Sequence, residues 1–233
     1  MMDLIQPART ICIGDIHGCS SALQQLIEQV QPSWDDRVIL LGDYVDRGPD
    51  TRGVIEQLWR LQDRSNLVPL QGNHELMLLR AFHETMQLDA WLQFGGAETL
   101  ASYGGGLEAI PADHCDFFRN CRPWFETETH LFVHANYDPA LPLSQQSETS
   151  LFWQHLTEFL PPPHCSGKVA VVGHTPQPNG EIFDIGHLVC LDTHCYDGGW
   201  LTAMDVQTGK FWQANQEGVV REGKRDDGNT TLD

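Results

Sequence analysis

Three apolar runs open the chain: "TICIGDI" at 10–16, "RVILLGD" at 37–43 and "LVPLQGNHE" at 67–75. Each closes on a glycine followed by a polar residue. Short, nearly continuous apolar runs suit strands buried on both faces. The segments between them change to helical period. In "SSALQQLIEQVQP" the residues Leu23, Leu26, Ile27 and Val30 share one face, with Ser20 or Ser21 as the expected N-cap. "DTRGVIEQLWRLQDR" at 50–64 and "ELMLLRAFHE" supply a second and a third helix. The order βαβαβα predicts an α/β fold around a parallel sheet with right-handed crossovers.

The rhythm breaks over residues 85–129, where "DAWLQFGGAETLASYGGG" and "PADHCDFFRNCRPWFE" read as two helices around a glycine-rich loop. This helical insert is expected to lie over the site. Strands resume at "HLFVHANY" (130–137) and "KVAVVGHT" (168–175). "HLVCLDTH" and "GGWLTAMDVQTGKFWQAN" read as β-structure with a hairpin at Thr208-Gly209. The polar stretch 221–233, "REGKRDDGNTTLD", has almost no apolar residue and is expected to be a disordered tail. No repeat or linker marks a boundary, so 1–220 reads as a single domain.

Composition narrows the function. Thirty-two acidic against 14 basic residues give a net charge of -18, which repels a nucleic-acid backbone and argues against a nucleic-acid partner. An anionic substrate would then need local positive charge, which bound metal could supply. No run approaches the roughly 20 apolar residues of a membrane span. "MMDLIQPART" lacks the basic start and apolar core of a secretory signal, so a cytoplasmic location is expected. The seven cysteines are odd in number and form no CxxC pair, which fits reduced, packed thiols.

The strand ends carry the chemistry. They bring Asp15, His17, Asp43, Asp46, Arg47, Asn73, His74, His134 and His174 to the carboxyl edge of the strands, where α/β folds place their sites. Aspartates, an asparagine and histidines together suit Mn, Fe or Zn. One carboxylate can bridge two ions about 3.5–4 Å apart. Asp43 is the best bridge, because its strand is expected between those carrying Asp15 and Asn73. Any one of these motifs alone is an ordinary turn or a buried histidine. Their recurrence in one order at successive strand ends is what points to a site.

"GDIHG", "GDYVDRGP", "GNHE", "HAN" and "GHT" resemble the calcineurin-like metallophosphoesterase superfamily, and within it the bacterial and phage serine/threonine protein phosphatases. The symmetrical dinucleoside tetraphosphatases are near relatives. "LDTHCYDGGWLTAM" extends the likeness to about residue 203. The resemblance implies a two-sheet β-sandwich flanked by helices, and a phosphoric monoester hydrolase. It implies two divalent ions, Mn first, with Fe or Zn as other candidates. Asp15, His17 and Asp43 would hold one ion; Asp43, Asn73, His134 and His174 would hold the other. His74 would be the general acid oriented by Asp46, and Arg47 would bind phosphate. The substrate would be a phosphoprotein or a small phosphate ester, with a dinucleoside polyphosphate as the alternative and no membrane partner.

Two departures stand out. The family's second phosphate-binding arginine is absent: "LFWQHLTEF" has His155 in its place, which is expected to bind substrate phosphate in its stead, and Lys168 and His164 are the other basic residues between 135 and 173. His194 replaces the glycine of the closing "DTG" and is expected to pack.

Overall fold

The computed structural model describes residues 8–226 and 229–232. In chain order, β1 (Thr10–Ile13), α1 (Ser20–Val30), β2 (Arg37–Leu40), α2 (Thr51–Gln62), β3 (Asn66–Pro69) and α3 (Asn73–Ala81) reproduce the predicted alternation. β1 pairs with β2, and β2 with β3, all parallel. Next come α4 (Thr85–Trp91), a kinked turn over Leu92–Gly96, α5 (Ala97–Tyr103) and α6 (Ala112–Arg119). The helical stretch stops there. β4 (Trp124–Glu126), placed within the insert by sequence, instead pairs antiparallel with β5 (His130–Val133). After α7 (Glu148–Phe152), β6 (Val169–Val172), β7 (Phe183–Asp184) and β8 (Leu188–Cys190) complete a sheet of order β4-β5-β6-β8-β7 among the described residues. β9 (Leu201–Asp205) and β10 (Lys210–Ala214) form the expected hairpin and join β1.

The two sheets face each other. Alternate residues of β1, β2 and β3 (Cys12, Ile39, Val68) meet Phe132, Val171 and Val189 from β5, β6 and β8 in a shared core. The opposite residues, Ile11, Ile13, Val38 and Leu40, pack beneath α1 and α2. On the outer face of the smaller sheet, Leu131, Val133, Ala170 and Val172 pack with Leu151 and Phe152 of α7. Burial on both faces explains why these strands read as continuous apolar runs.

The segment expected to be a disordered tail is a correction. β11 (Val220–Asp226) pairs with β10, and β12 (Asn229–Leu232) returns along β11, giving the order β12-β11-β10-β9-β1-β2-β3. Residues 227, 228 and 233 of that segment lie outside the described residues. Polar composition misled here because the pairing is anchored by guanidinium groups: Arg221 donates to Gln213 and Gly180, and Arg225 to Asp184. The α1 cap differs as well. Cys19 precedes the helix without a side-chain cap, while the Ser20 hydroxyl donates to Asp50 Oδ2 at 2.7 Å.

Candidate metal centre

The strand ends of both sheets converge. Asp15 and His17 follow β1, Asp43, Asp46 and Arg47 follow β2, Asn73 and His74 open α3, and His134 and His174 follow β5 and β6. All are buried except Arg47, which is half-buried. The backbone there is unusual: His17, Asp43, Asp46, Arg47 and His174 take φ values of 44°, 51°, 72°, 67° and 63°. Such left-handed residues cost energy and cluster where surrounding structure enforces a functional geometry. Close approach adds a further constraint, since a Cβ on Gly173 would lie 2.0 Å from Asp15 Oδ1.

Asp43 is the hub. Its Oδ2 lies 3.4 Å from His17 Nε2 and 4.0 Å from His74 Nε2, and its Oδ1 lies 3.5 Å from His134 Nε2. Asn73 Oδ1 is 3.0 Å from both His134 Nε2 and His174 Nδ1. Asp15 joins through Oδ2, which accepts the His174 N–H at 2.9 Å. Two groups, His17–Asp43–His74 and Asp43–His134–His174, could each hold a metal ion, and Asp43 belongs to both. His74 falls in the first group by proximity, although the resemblance makes it the acid.

The electrostatics fit cations. Asp15 Oδ1 is buried without a hydrogen-bond partner. Burial, with Asp192 and Asp43 nearby, pushes the Asp15 carboxyl well above its ordinary range. Burial likewise pushes Asp192 up to about 7. A cation among these carboxylates would offset that repulsion. The histidines are correspondingly neutral. Burial lowers His17 and His134, and brings His174 down to about 3 with help from His134. A deprotonated imidazole is the form that binds metal. The backbone carbonyls of Val45 and Leu41 sit at 2.8 and 2.9 Å from Nδ1 of His17 and His134, so each ring donates there and turns Nε2 toward Asp43. The donor set therefore fits metal ions.

His74 is set apart from those rings. Its Nδ1 lies 2.6 Å from Asp46 Oδ2. Burial works against its charge, but Asp43 and Asp46 outweigh it and raise its pKa above the ordinary value. Asp46 is held in turn by Trp91 Nε1 at 2.7 Å and by the Thr99 hydroxyl at 2.8 Å. Sequence reasoning missed both, since they lie 45 and 53 positions from Asp46 in a segment with no local signal. It also passed over Glu75, which accepts the N–H groups of Asp43, Tyr44 and Gly72 at 2.9, 2.8 and 2.9 Å and so fixes the β2 turn. Asp192 was missed too, though it follows an apolar run just as Asp15 and Asp43 do.

Arg47 Nη1 lies 3.0 Å from His17 Nε2, and its guanidinium stacks over the Tyr196 ring at 4.7 Å. His155 is half-buried and stacks on His174 with ring centroids 4.2 Å apart. Lys168 is paired with Glu126 at 2.6 Å, and His164 is held by Leu141 and Ser166. Neither supplies the absent arginine's charge. His194 sits edge-on to Tyr196 at 4.7 Å.

A two-sheet sandwich with buried Asp, Asn and His converging at its strand ends defines a centre able to hold metal. The chain belongs to the calcineurin-like phosphoesterase family, whose profile matches residues 8–206. Serine/threonine-protein phosphatase 1 of Salmonella typhimurium is 30% identical over 210 residues, covering 84% of this chain and 90% of its own length. The symmetrical bis(5'-nucleosyl)-tetraphosphatase of Paracidovorax citrulli is 49% identical over 71 residues, covering 30% of this chain and 25% of its own. Among solved structures, a serine/threonine phosphatase from Saccharomyces cerevisiae superposes with a TM-score of 0.59 at 17% identity, over 100% of this chain and 80% of that one. A cold-active protein-tyrosine phosphatase of a psychrophilic Shewanella gives 0.60 at 16% identity, over 97% and 80%. Family and donor set together make the chain a metal-dependent phosphoesterase. No helix among the described residues is long and apolar enough to cross a membrane.

Proposed function

We propose that this protein is a phosphoserine/phosphothreonine phosphatase working with two divalent ions, Mn preferred. Asp15, His17 and Asp43 would hold one ion, and Asp43, Asn73, His134 and His174 the other. Such ions supply an activated water and neutralise charge on the phosphoryl oxygens. The remaining work falls to the chain. His74 gives a proton to the departing seryl or threonyl oxygen, and the Asp46 carboxylate keeps that imidazole oriented and charged until it does. Trp91 and Thr99 fix Asp46 so that its position does not depend on solvent. Arg47 binds phosphoryl oxygens, for which it must leave His17. Glu75 holds the turn that aims Asp43.

The reading of the substrate rests on one observation. In sequence, the Salmonella phosphatase matches along nearly its whole length, whereas the Paracidovorax tetraphosphatase match covers 30% of this chain. Hydrolysis of dinucleoside polyphosphates is the second reading, favoured by the higher identity within that short segment and by a fold likeness to a "putative diadenosine tetraphosphatase" over 98% of this chain, with a TM-score of 0.65 at 21% identity. The test is a side-by-side assay of the Mn-loaded protein on phosphoserine and phosphothreonine peptides, diadenosine tetraphosphate and an aryl phosphate. The proposal expects the peptides to exceed the dinucleotide in kcat/KM by at least ~10-fold, a difference of about 1.4 kcal/mol in transition-state binding. The reverse order would replace it with the second reading.

A further inference from the structure

Arg47 borders a second space besides the metal centre. It lines an open cavity of about 610 Å³ together with Phe94, Glu98, Tyr196 and Asp197. This cavity borders the centre through Arg47, whose Nη1 lies 3.0 Å from His17 Nε2, and through Tyr196, whose ring meets that of His17 edge-on at 5.1 Å.

Its walls are fixed in place. Phe94 is 55% exposed, unusual for a phenylalanine, yet the turn carrying it is pinned. Gly95 takes φ +102° and its carbonyl accepts the Arg47 N–H at 3.1 Å, while a Cβ there would lie 2.6 Å from Arg47 N. An apolar ring is thus held in the open beside the phosphate-binding arginine. Glu98 and Asp197 are both exposed. No basic side chain pairs with Glu98 among the described residues, and the His194 ring is the nearest to Asp197, at 4.0 Å.

Two aromatic rings and two carboxylates outnumber the single charge of Arg47 in this lining, and once that guanidinium turns to phosphate they complement a long cationic side chain. Its aliphatic stem can lie on the rings while its head meets the acids. The same acids oppose a polyphosphate chain, which would bring more negative charge beside them.

We propose that this cavity receives a lysine or arginine adjacent to the phosphorylated residue, with Phe94 and Tyr196 packing its stem and Glu98 and Asp197 its charge. The inference deepens the phosphoprotein reading above and rests on it. Exposed charge pairs are individually weak, so two of them correspond to a preference of about 3- to 10-fold, declining as salt rises.

The test uses the Mn-loaded full chain and phosphothreonine peptides that differ only in carrying Arg, Ala or Glu next to the phosphoresidue. 4-Nitrophenyl phosphate, measured on every variant, registers any general loss. The wild type should give kcat/KM in the order Arg, Ala, Glu, with the spread shrinking between low and high salt. E98Q/D197N should collapse the Arg-to-Glu ratio toward one, and E98K/D197K should invert it. Equal values for the Arg and Glu peptides in the wild type, or a ratio unmoved in E98K/D197K, overturns the inference while leaving the phosphoprotein reading intact. Refusal of all three peptides with cleavage of diadenosine tetraphosphate overturns that reading, and this one with it.

Discussion

On the wall of the centre built by β1, β2 and α3, the reactive side chains are tied several times over. Asp46 is held by His74, Trp91 and Thr99, and the Asp43 turn by Glu75. The facing wall, from β5 and β6, is simpler. His134 and His174 meet Asn73 and one backbone carbonyl each, and His155 stacks on His174. The first wall also carries the guanidinium; the second has an imidazole in its place. On the roles proposed above, the first wall manages protons and phosphate charge, where small misplacement is costly. The second wall would hold metal, and His155, in the absent arginine's place, would be a replaceable phosphate contact.

That contrast can be broken by substitution. The largest effect belongs to Asp43, which is shared by both groups that could hold a metal ion. Asp43→Asn should lower kcat roughly 10³-fold on every substrate, about 4 kcal/mol, and release at least one of the two ions. Steady-state kinetics with elemental analysis of the purified variant checks both.

His74→Asn comes next and should be selective. A phosphoserine peptide leaves as a basic alkoxide and should lose about 10²–10⁴-fold, whereas a nitrophenolate needs little protonation and should lose under ~10-fold. Equal losses on the two substrates would mean that His74 positions metal or water and is not the acid.

Trp91→Phe keeps the ring but removes the N–H donated to Asp46. A buried hydrogen bond to a charged group is worth about 1.5–3 kcal/mol, so kcat on the phosphopeptide should fall about 10-fold or somewhat more. The aryl phosphate should change less, because Trp91 acts through Asp46 on the acid. A uniform loss would make Trp91 a packing residue only.

The smallest effect is expected on the second wall. His155→Ala should raise KM about 3- to 10-fold with metal content and kcat nearly unchanged, and His155→Arg should lower KM. Loss of metal in His155→Ala would erase the contrast, since the stack on His174 would then be part of the metal site.

The strand-end residues of both walls were legible in the sequence, His134 and His174 included. The first wall is encoded locally: strand, glycine, aspartate and helix follow each other within a few residues, so Asp15, His17, Asp43 and Asn73 were visible as strand-end residues. The strand order that puts Asp43 centrally follows from consecutive strands pairing side by side. What the sequence hid is long-range. Trp91 and Thr99 reach Asp46 from a helical segment whose polar and apolar pattern says only that it packs. The partnership of Arg47 with Tyr196 joins residues 149 positions apart by number, with no shared motif. The polar end of the chain was misread because composition reports apolar burial, and β11 is held by backbone pairing and arginine contacts instead.

The central claim is that this centre works through two ions sharing Asp43. Its most direct test strips the protein with chelator and titrates it with Mn²⁺ in a calorimeter, following aryl phosphate hydrolysis on the same samples. The account predicts no turnover without metal and recovery in step with about two bound equivalents. Full turnover by the stripped protein, or full recovery at a single equivalent, would contradict it.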